Sequence, residues 1–516
     1  MRILIFHGYL LRGTGSNIYN AELARTLTDL GHEVHLFCQE RHPEDFDFVD
    51  AVGRWRHGQL AVEAKSQPAR CTAYVPDISG VLPLYVADKY EGFDARPFPE
   101  LSDAEIEHYI AANVSAVRDV VAAAAPDAAL ANHLVMGPVI LARALAGRIP
   151  YAVKIHGSAL EYTVRPDPGR FGPYAREGLA PAAGVLAGSR HTAESLWEVV
   201  GMAGLPARTR LLGPGVDIRR FHARPPEEAR DRLRELAARL EADPPTWGGE
   251  ADGPQAIRAA DPTRDQIVSY VGKLIAAKGV DLLIAAWPLV IARAPDARLV
   301  IAGFGAYRPA LLRLVRALGQ GDLGLARDIA SRGREEEGGP AGELHYLAAF
   351  LDGLAGARGR RYVDAARAAM PRVHFAGRIE HEDVSELMCA SRAVVVPSTF
   401  PEAFGMVLAE AACCGSMPLS ADHSGLAEVT ELLAPAVRHS LRPQLSFQLG
   451  PGSVQEIADK LSGWLSFTVD RPVAWQQGRA DLAELGCSEF GWPEVARGVT
   501  AAARGHLAGL PLIPAG

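Results

Sequence analysis

The sequence has no uninterrupted apolar run of membrane-spanning length, so it offers no candidate transmembrane helix. It also lacks a basic excess. Lys and Arg number 53 against 61 Asp and Glu, a formal net charge of −8, which argues against a dedicated nucleic-acid binder. Cysteine is scarce: Cys38, Cys71, Cys389, Cys413, Cys414 and Cys487 are all there is, with no C-x-x-C pair and no zinc-finger spacing. They read as buried reduced thiols. His42, His133 and His423 show no ligand spacing, and no metal centre is expected. No basic segment followed by an apolar one precedes Ile3-Leu4-Ile5-Phe6, so no signal peptide is read and a cytoplasmic location is expected.

What is present is the balance of a folded globular chain, 48% hydrophobic and 22% charged. At 516 residues it exceeds one ordinary core and predicts two or three domains. Residues 2–6 (RILIF) read as a strand, Leu10 to Asn17 as a Gly-rich turn, Asn20 to Leu30 as a helix stopped by Gly31, and Val34 to Cys38 as the next strand. That order is a βαβ unit and implies a parallel sheet. Further strands are read at Ala128–Ala131, Tyr151–Ile155 and Gly184–Ala187. A second series follows at Ile267–Val271, Ala297–Ile301, Val373–Phe375 and Ala393–Val396, with a helix from Val280 to Arg293 that Pro288 is expected to kink. Two stretches read as insertions. Residues 238–265, rich in Pro, Gly, Asp and Ala, read as a loose linker or excursion. Residues 318–371 are too long for a βα connection, and their Arg332–Gly339 segment (RGREEEGG) is expected to be mobile.

The chemistry concentrates in two motifs. In VVVPSTFPEAFGMVLAE (394–410) a strand ends at Pro397, and a helix is expected to begin near Ala403–Gly405. Glu402 is placed at its entrance and Glu410 about two turns in. A helix N-terminus presents unpaired N–H groups, and a carboxylate accepts two hydrogen bonds from a vicinal diol such as a ribose or hexose carries. In VGKLIAAKGVDLLI (271–284), Lys273 and Lys278 flank a short loop at the carboxyl end of a strand, which suits a diphosphate. There they would stabilise charge developing on a leaving nucleoside diphosphate.

Taken together these residues resemble the family 4 retaining glycosyltransferases of the GT-B fold, over nearly the whole chain apart from the two insertions. The most specific element is the E-x7-E pair Glu402–Glu410. GKLIAAKG (272–279), AGFG (302–305), FAGRIEHEDV (375–384), RGTGSN (12–17), KIHG (154–157) and GPGVDIRRF (213–221) follow in the family's order. The resemblance implies an α/β chain of two facing Rossmann-like domains with an inter-domain cleft. These would be residues 1–218 on the acceptor side and 219–487 on the donor side, with a helix in 488–516 crossing back to the first.

The resemblance also implies site roles. Glu410 would hold the donor ribose, and Glu402 with Ala403, Phe404 and Gly405 the donor sugar. Lys273 and Lys278 would bind the diphosphate, the backbone at Arg378 and Ile379 would meet the base, and His156 would lie by the reacting carbon. Gly303 would admit the donor closely, and Gly13 and Gly15, counted with the donor-binding residues, would let the first loop approach the phosphates or the acceptor. A hexosyl group would pass from a nucleoside diphosphate sugar, UDP ahead of GDP, to a small-molecule or lipid-linked acceptor with retention. No metal or other cofactor would be needed, the donor being a substrate. A peripheral membrane contact stays open. Two departures from the family are Lys273, where arginine is frequent, and Ser424, where a Gly-Gly pair is common. Two rival readings are a sugar-nucleotide epimerase of the same fold and a non-catalytic nucleotide-sugar-binding or scaffold protein. The D-x-D sequence Asp45-Phe46-Asp47 reads as a solvated loop.

Overall fold

The computed structural model describes residues 1–85, 93–245 and 248–513. The chain divides into two compact units, one of residues 1–215 with 490–516, the other of residues 216–489.

Unit 1 is built on a nine-stranded sheet. Its strands run, edge to edge, Thr209–Leu211, Gly184–Ala187, Tyr151–Lys154, Ala128–Asn132, Arg2–Phe6, Glu33–Phe37, Cys71–Val75, Ala51–Arg56 and Gln59–Ala64. All pairs are parallel except the last, an antiparallel hairpin. Strands covered on both faces need apolar side chains at successive positions rather than alternate ones. Ile3, Leu4, Ile5 and Phe6 are all fully buried, Leu4 and Phe6 in one apolar layer and Ile3 and Ile5 in the other. The helix after the first strand spans Gly15–Asp29, so the second half of the expected turn is already helical. The C-terminal helix Trp492–Ala503 packs in the Ile3/Ile5 layer, with Trp492 5.3 Å from Tyr19. Asp47 of the D-x-D sequence pairs with Arg25 at 2.7 Å.

Unit 2 carries a six-stranded parallel sheet ordered Val373–Gly377, Ala297–Ala302, Gln266–Val271, Ala393–Val396, Met417–Ala421 and Ser446–Phe447. The strand Gln266–Val271 lies at the point where the order reverses. Its successor in sequence, Ala297–Ala302, is on one side, and Ala393–Val396 is on the other. Loops leaving the carboxyl ends of two such neighbours diverge and leave the crevice in which open α/β sheets bind ligands. The two loops here are Gly272–Gly279 and Pro397–Gly405. The buried helix Val280–Ile291 runs on through Pro288 and is not broken there.

Both insertions are more ordered than their composition predicts. Within 238–265, a helix covers Gly253–Arg258 and buries Pro254, Ala256 and Ile257, so this stretch is not a loose linker. The RGREEEGG segment is not a free charged loop either. It forms a 3-10 turn at Arg334–Glu337, closed by the Arg334 N–H donating to the Gly342 carbonyl. Glu336 is nearly buried between Arg313 and Arg332. The acidic run folds because inward-facing carboxylates find guanidinium partners.

Candidate functional site

In unit 2 the Glu410 helix begins at Met406 with Gly405 as its N-cap, at the far end of the expected Ala403–Gly405 range. Glu402 therefore stands in the preceding loop and Glu410 lies one turn into the helix. The loop stays out of the helix because its backbone is engaged elsewhere. The Glu402 N–H donates to Ser424 Oγ at 2.9 Å, and the Glu402 carbonyl accepts from Gly425 N at 3.0 Å. Gly425 is required for this contact, since a Cβ there would come within 2.8 Å of Glu402 O and the Phe404 Cα. Ser424 adopts φ +52, a left-handed conformation in which most residues are strained. His423 Nδ1 lies 2.9 Å from the same hydroxyl, and its Nε2–H donates to the Ser398 carbonyl at 2.8 Å. This turn, which departs from a Gly-Gly pair at Ser424, is held by side chains.

Two carboxylates result, in different settings. Glu402 Oε1 takes an ion pair from Lys278 Nζ and a hydrogen bond of 2.6 Å from Ser398 Oγ. Both Glu402 and Lys278 remain partly exposed. Glu410 is buried at 3% exposure and accepts a hydrogen bond from His381 Nε2 at 2.7 Å. Because a carboxylate only accepts, the proton sits on Nε2. His381 lies 5.2 Å from the Phe221 ring.

The Gly272–Gly279 loop approaches these groups closely. A Cβ at Gly279, where φ is +64, would overlap the Pro397 carbonyl oxygen, so only glycine fits. The Ala277 carbonyl accepts from Thr399 N at 2.9 Å, and Leu274 exchanges backbone hydrogen bonds with Phe304 and Tyr307. Lys273 is partly buried, its carbonyl accepting from the Tyr270 hydroxyl at 2.7 Å.

Two assignments take a different physical form. Gly303 packs backbone on backbone, its missing Cβ replaced by the Gly272 carbonyl oxygen, so its glycine is explained by loop packing. The Arg378 N–H donates to the Gly248 carbonyl at 2.8 Å, so this backbone donor is engaged within the protein. The Arg378 side chain pairs with Glu380 at 2.8 Å and lies 5.8 Å from the Phe304 ring. Ile379 is buried.

Unit 1 gathers its polar groups at the same edge of its own sheet. His7, His133 and His156 stand just past the ends of three parallel strands. His133 lies 5.8 Å from His7 and 4.9 Å from His156, centroid to centroid. Asn132 Nδ2 donates to the Phe6 carbonyl, which turns Oδ1 toward His156 Nε2 at 2.7 Å. Nε2 then carries the proton, and Nδ1 is the acceptor nitrogen of the neutral ring. Burial, with His133, Lys154 and His7 nearby, holds His156 well below the usual histidine range. Burial likewise lowers His133 far down, and lowers His7 to about 4 despite its hydrogen bond to Asn17. Both ring nitrogens of His133 lack a hydrogen-bond partner among the described residues. Lys154 is buried, donates to the Leu212 carbonyl, and is brought down to about 7 by desolvation. Gly13 takes φ +91 and Gly15 opens the first helix, in a loop tied to His7 through Asn17. Sequence reasoning missed His7, His133 and His381. For His7 and His133 the available signal was a histidine directly after a strand end.

Comparison with known proteins agrees with this architecture. Residues 14–215 match the glycosyl transferase 4-like domain, and residues 265–333 and 356–439 each match a glycosyl transferases group 1 model. The D-inositol 3-phosphate glycosyltransferase of Frankia alni is 24% identical across 94% of this chain and 93% of its own length. Among solved structures, the sucrose-phosphate synthase of Thermosynechococcus elongatus superposes with a TM-score of 0.55 at 18% identity, covering 98% of both chains. Anabaena HepE in complex with UDP-glucose gives 0.54 at 16% identity, over 98% of this chain and 99% of that one. The sequence motifs, the two Rossmann-like units and these matches together identify the chain as a glycosyltransferase of the family 4 type with the GT-B fold.

Proposed function

We propose that the chain transfers a hexosyl group from a nucleoside diphosphate sugar, UDP ahead of GDP, to a small-molecule or lipid-linked acceptor, with retention and without a metal ion. The observation that carries this reading is the pairing of Lys278 with Glu402 at the switch point of the unit 2 sheet, with the buried Glu410–His381 pair on the adjoining helix. Lys273 and Lys278 supply the positive charge that a leaving diphosphate requires. Glu410, buried and oriented by His381, is assigned to the ribose diol, and Glu402 to the sugar hydroxyls. HepE, a structural neighbour, holds UDP-glucose, which favours UDP here.

The step balances without an enzymic nucleophile. The acceptor oxygen bonds to the anomeric carbon on the face from which the diphosphate leaves. The bond from that carbon to the phosphate oxygen breaks, and the acceptor proton passes to the departing phosphate. His156, neutral with Nδ1 as acceptor, is assigned to a hydroxyl of the transferred sugar.

The test is a product assay with UDP- and GDP-hexoses, an acceptor panel and EDTA. Nucleoside diphosphate release that depends on the acceptor and survives EDTA supports the proposal, as does a product whose anomeric proton coupling shows retention. Conversion of the donor with no acceptor present would favour the epimerase instead.

A further inference from the structure

The insertion between the two matched segments of unit 2 touches the lysine loop. Residues 334–355 lie outside both group 1 matches, yet Glu337 Oε2 accepts a hydrogen bond from the Ala276 N–H at 2.7 Å. Ala276 opens the one-turn 3-10 segment Ala276–Lys278, and Lys278 closes it. The first N–H of such a turn has no acceptor within the turn itself. The Glu337 side chain is only 11% exposed. It sits on the closed turn Arg334–Glu337, which is braced by the nearly buried Glu336 between Arg313 and Arg332.

Backbone hydrogen bonds hold this loop at Leu274 and at Ala277. Between those two points the Glu337 carboxylate holds Ala276. The lysine whose ammonium meets Glu402 comes only two residues later.

We propose that Glu337 is a positioning residue: the insertion clamps the Ala276–Lys278 turn so that Lys278 is pre-set for the donor diphosphate. This rests on the donor assignment proposed above. Pre-setting a cation removes an ordering cost from ligand binding. Removal of the clamp therefore weakens diphosphate binding without a change in the chemistry of the lysine.

The test uses UDP as the probe, with calorimetric titration of the full chain and the melting temperature of the ligand-free protein. Glu337→Ala is expected to raise the Kd for UDP about tenfold, the loss of one charge-assisted hydrogen bond. Glu337→Gln retains an acceptor oxygen and is expected to stay within about twofold of wild type. Ala276→Pro removes the donor from the other side. Proline is tolerated at a first helical position, and Ile275 already has the extended conformation (φ −127, ψ 154) that a following proline demands. The double variant Glu337→Ala/Ala276→Pro is expected to bind no more weakly than either single one, because the two share a single interaction. Additive losses, equal losses in the Gln and Ala variants, or an unchanged Kd in Glu337→Ala with wild type binding normally would overturn the clamp alone. Absence of UDP binding by the wild type would overturn the donor assignment and the clamp with it.

Discussion

His381 donates a hydrogen bond of 2.7 Å to Glu410, so the most buried carboxylate of the E-x7-E pair is oriented by a residue at the start of a different helix. The ring spends its Nε2 proton on the carboxylate and fixes the direction of the remaining lone pairs. Glu410 is therefore presented in one rotamer before any ligand arrives. His381→Ala is expected to raise the Kd for UDP about tenfold, the worth of one hydrogen bond to a charged group. Calorimetric titration measures it. An unchanged Kd would show that Glu410 needs no orienting partner.

Ser424 supplies the second test, because its two roles oppose each other. Its left-handed backbone costs energy, while its hydroxyl holds the Glu402 N–H. Ser424→Gly relieves the first and loses the second, so the change in stability should stay within about 1 kcal/mol. Ser424→Ala keeps the strain and loses the hydrogen bond, and should cost about 1–2 kcal/mol with a fall in transferase activity. Denaturant melts of the two variants separate the contributions. Equal stability in the two variants would mean that the left-handed backbone carries no strain, and wild-type stability in Ser424→Ala would mean that the hydroxyl contributes nothing.

Three of the histidines in unit 1 set an acid limit. His7, His133 and His156 are held neutral by burial, with His7 at about 4. Their folded values lie below the unfolded one near 6.5, so the unfolded chain binds more protons as the pH falls. Stability is fully present above about pH 6.5 and is lost below it, by about 1.4 kcal/mol per pH unit for each proton taken up. Melting temperature should drop steeply between pH 6.5 and 4. His133→Phe, which keeps an apolar ring among Tyr9, Tyr85 and His7, should make that drop shallower. A pH profile identical to wild type would contradict the assignment.

Asp281 behaves in the opposite sense. It is buried in the first turn of its helix, and burial pushes its carboxyl up to about 7, with Glu337 adding to the effect. A folded value above the unfolded 3.8 means that its contribution is complete below about pH 4 and is lost as the pH rises to 7. Asp281→Asn removes that dependence. The variant should be more stable than wild type at pH 8, with the advantage shrinking toward pH 4. An advantage that does not change with pH would contradict the shift.

The parallel strands were legible because strands buried on both faces must be continuously apolar, as in RILIF and AVVV. The helices after the first strands of the two series, read at Asn20–Leu30 and Val280–Arg293, were legible from their period, the first also from its Gly31 stop. The Glu410 helix starts at the end of the expected range, so Glu410 lies one turn in rather than two, for a local reason. PEAFG carries no residue that forbids helix before Gly405, and the non-helical loop is held by Ser424 and Gly425, about twenty residues on. The acidic insertion was misread because REEE looks solvated until Arg313 and Arg332 are placed beside Glu336. His381 and Glu337 share the same difficulty: each acts through a partner, Glu410 or Ala276, that is distant in the chain, and no local pattern encodes the meeting.

The central claim is a metal-free nucleoside diphosphate site built on Glu410 and the lysine loop. The most direct measurement is calorimetric titration of UDP into the wild type and Glu410→Ala in the presence of EDTA. The account predicts saturable binding by the wild type that EDTA leaves unchanged, and a loss of at least about tenfold in the variant. Equal binding by both proteins, or wild-type binding abolished by EDTA, would contradict it.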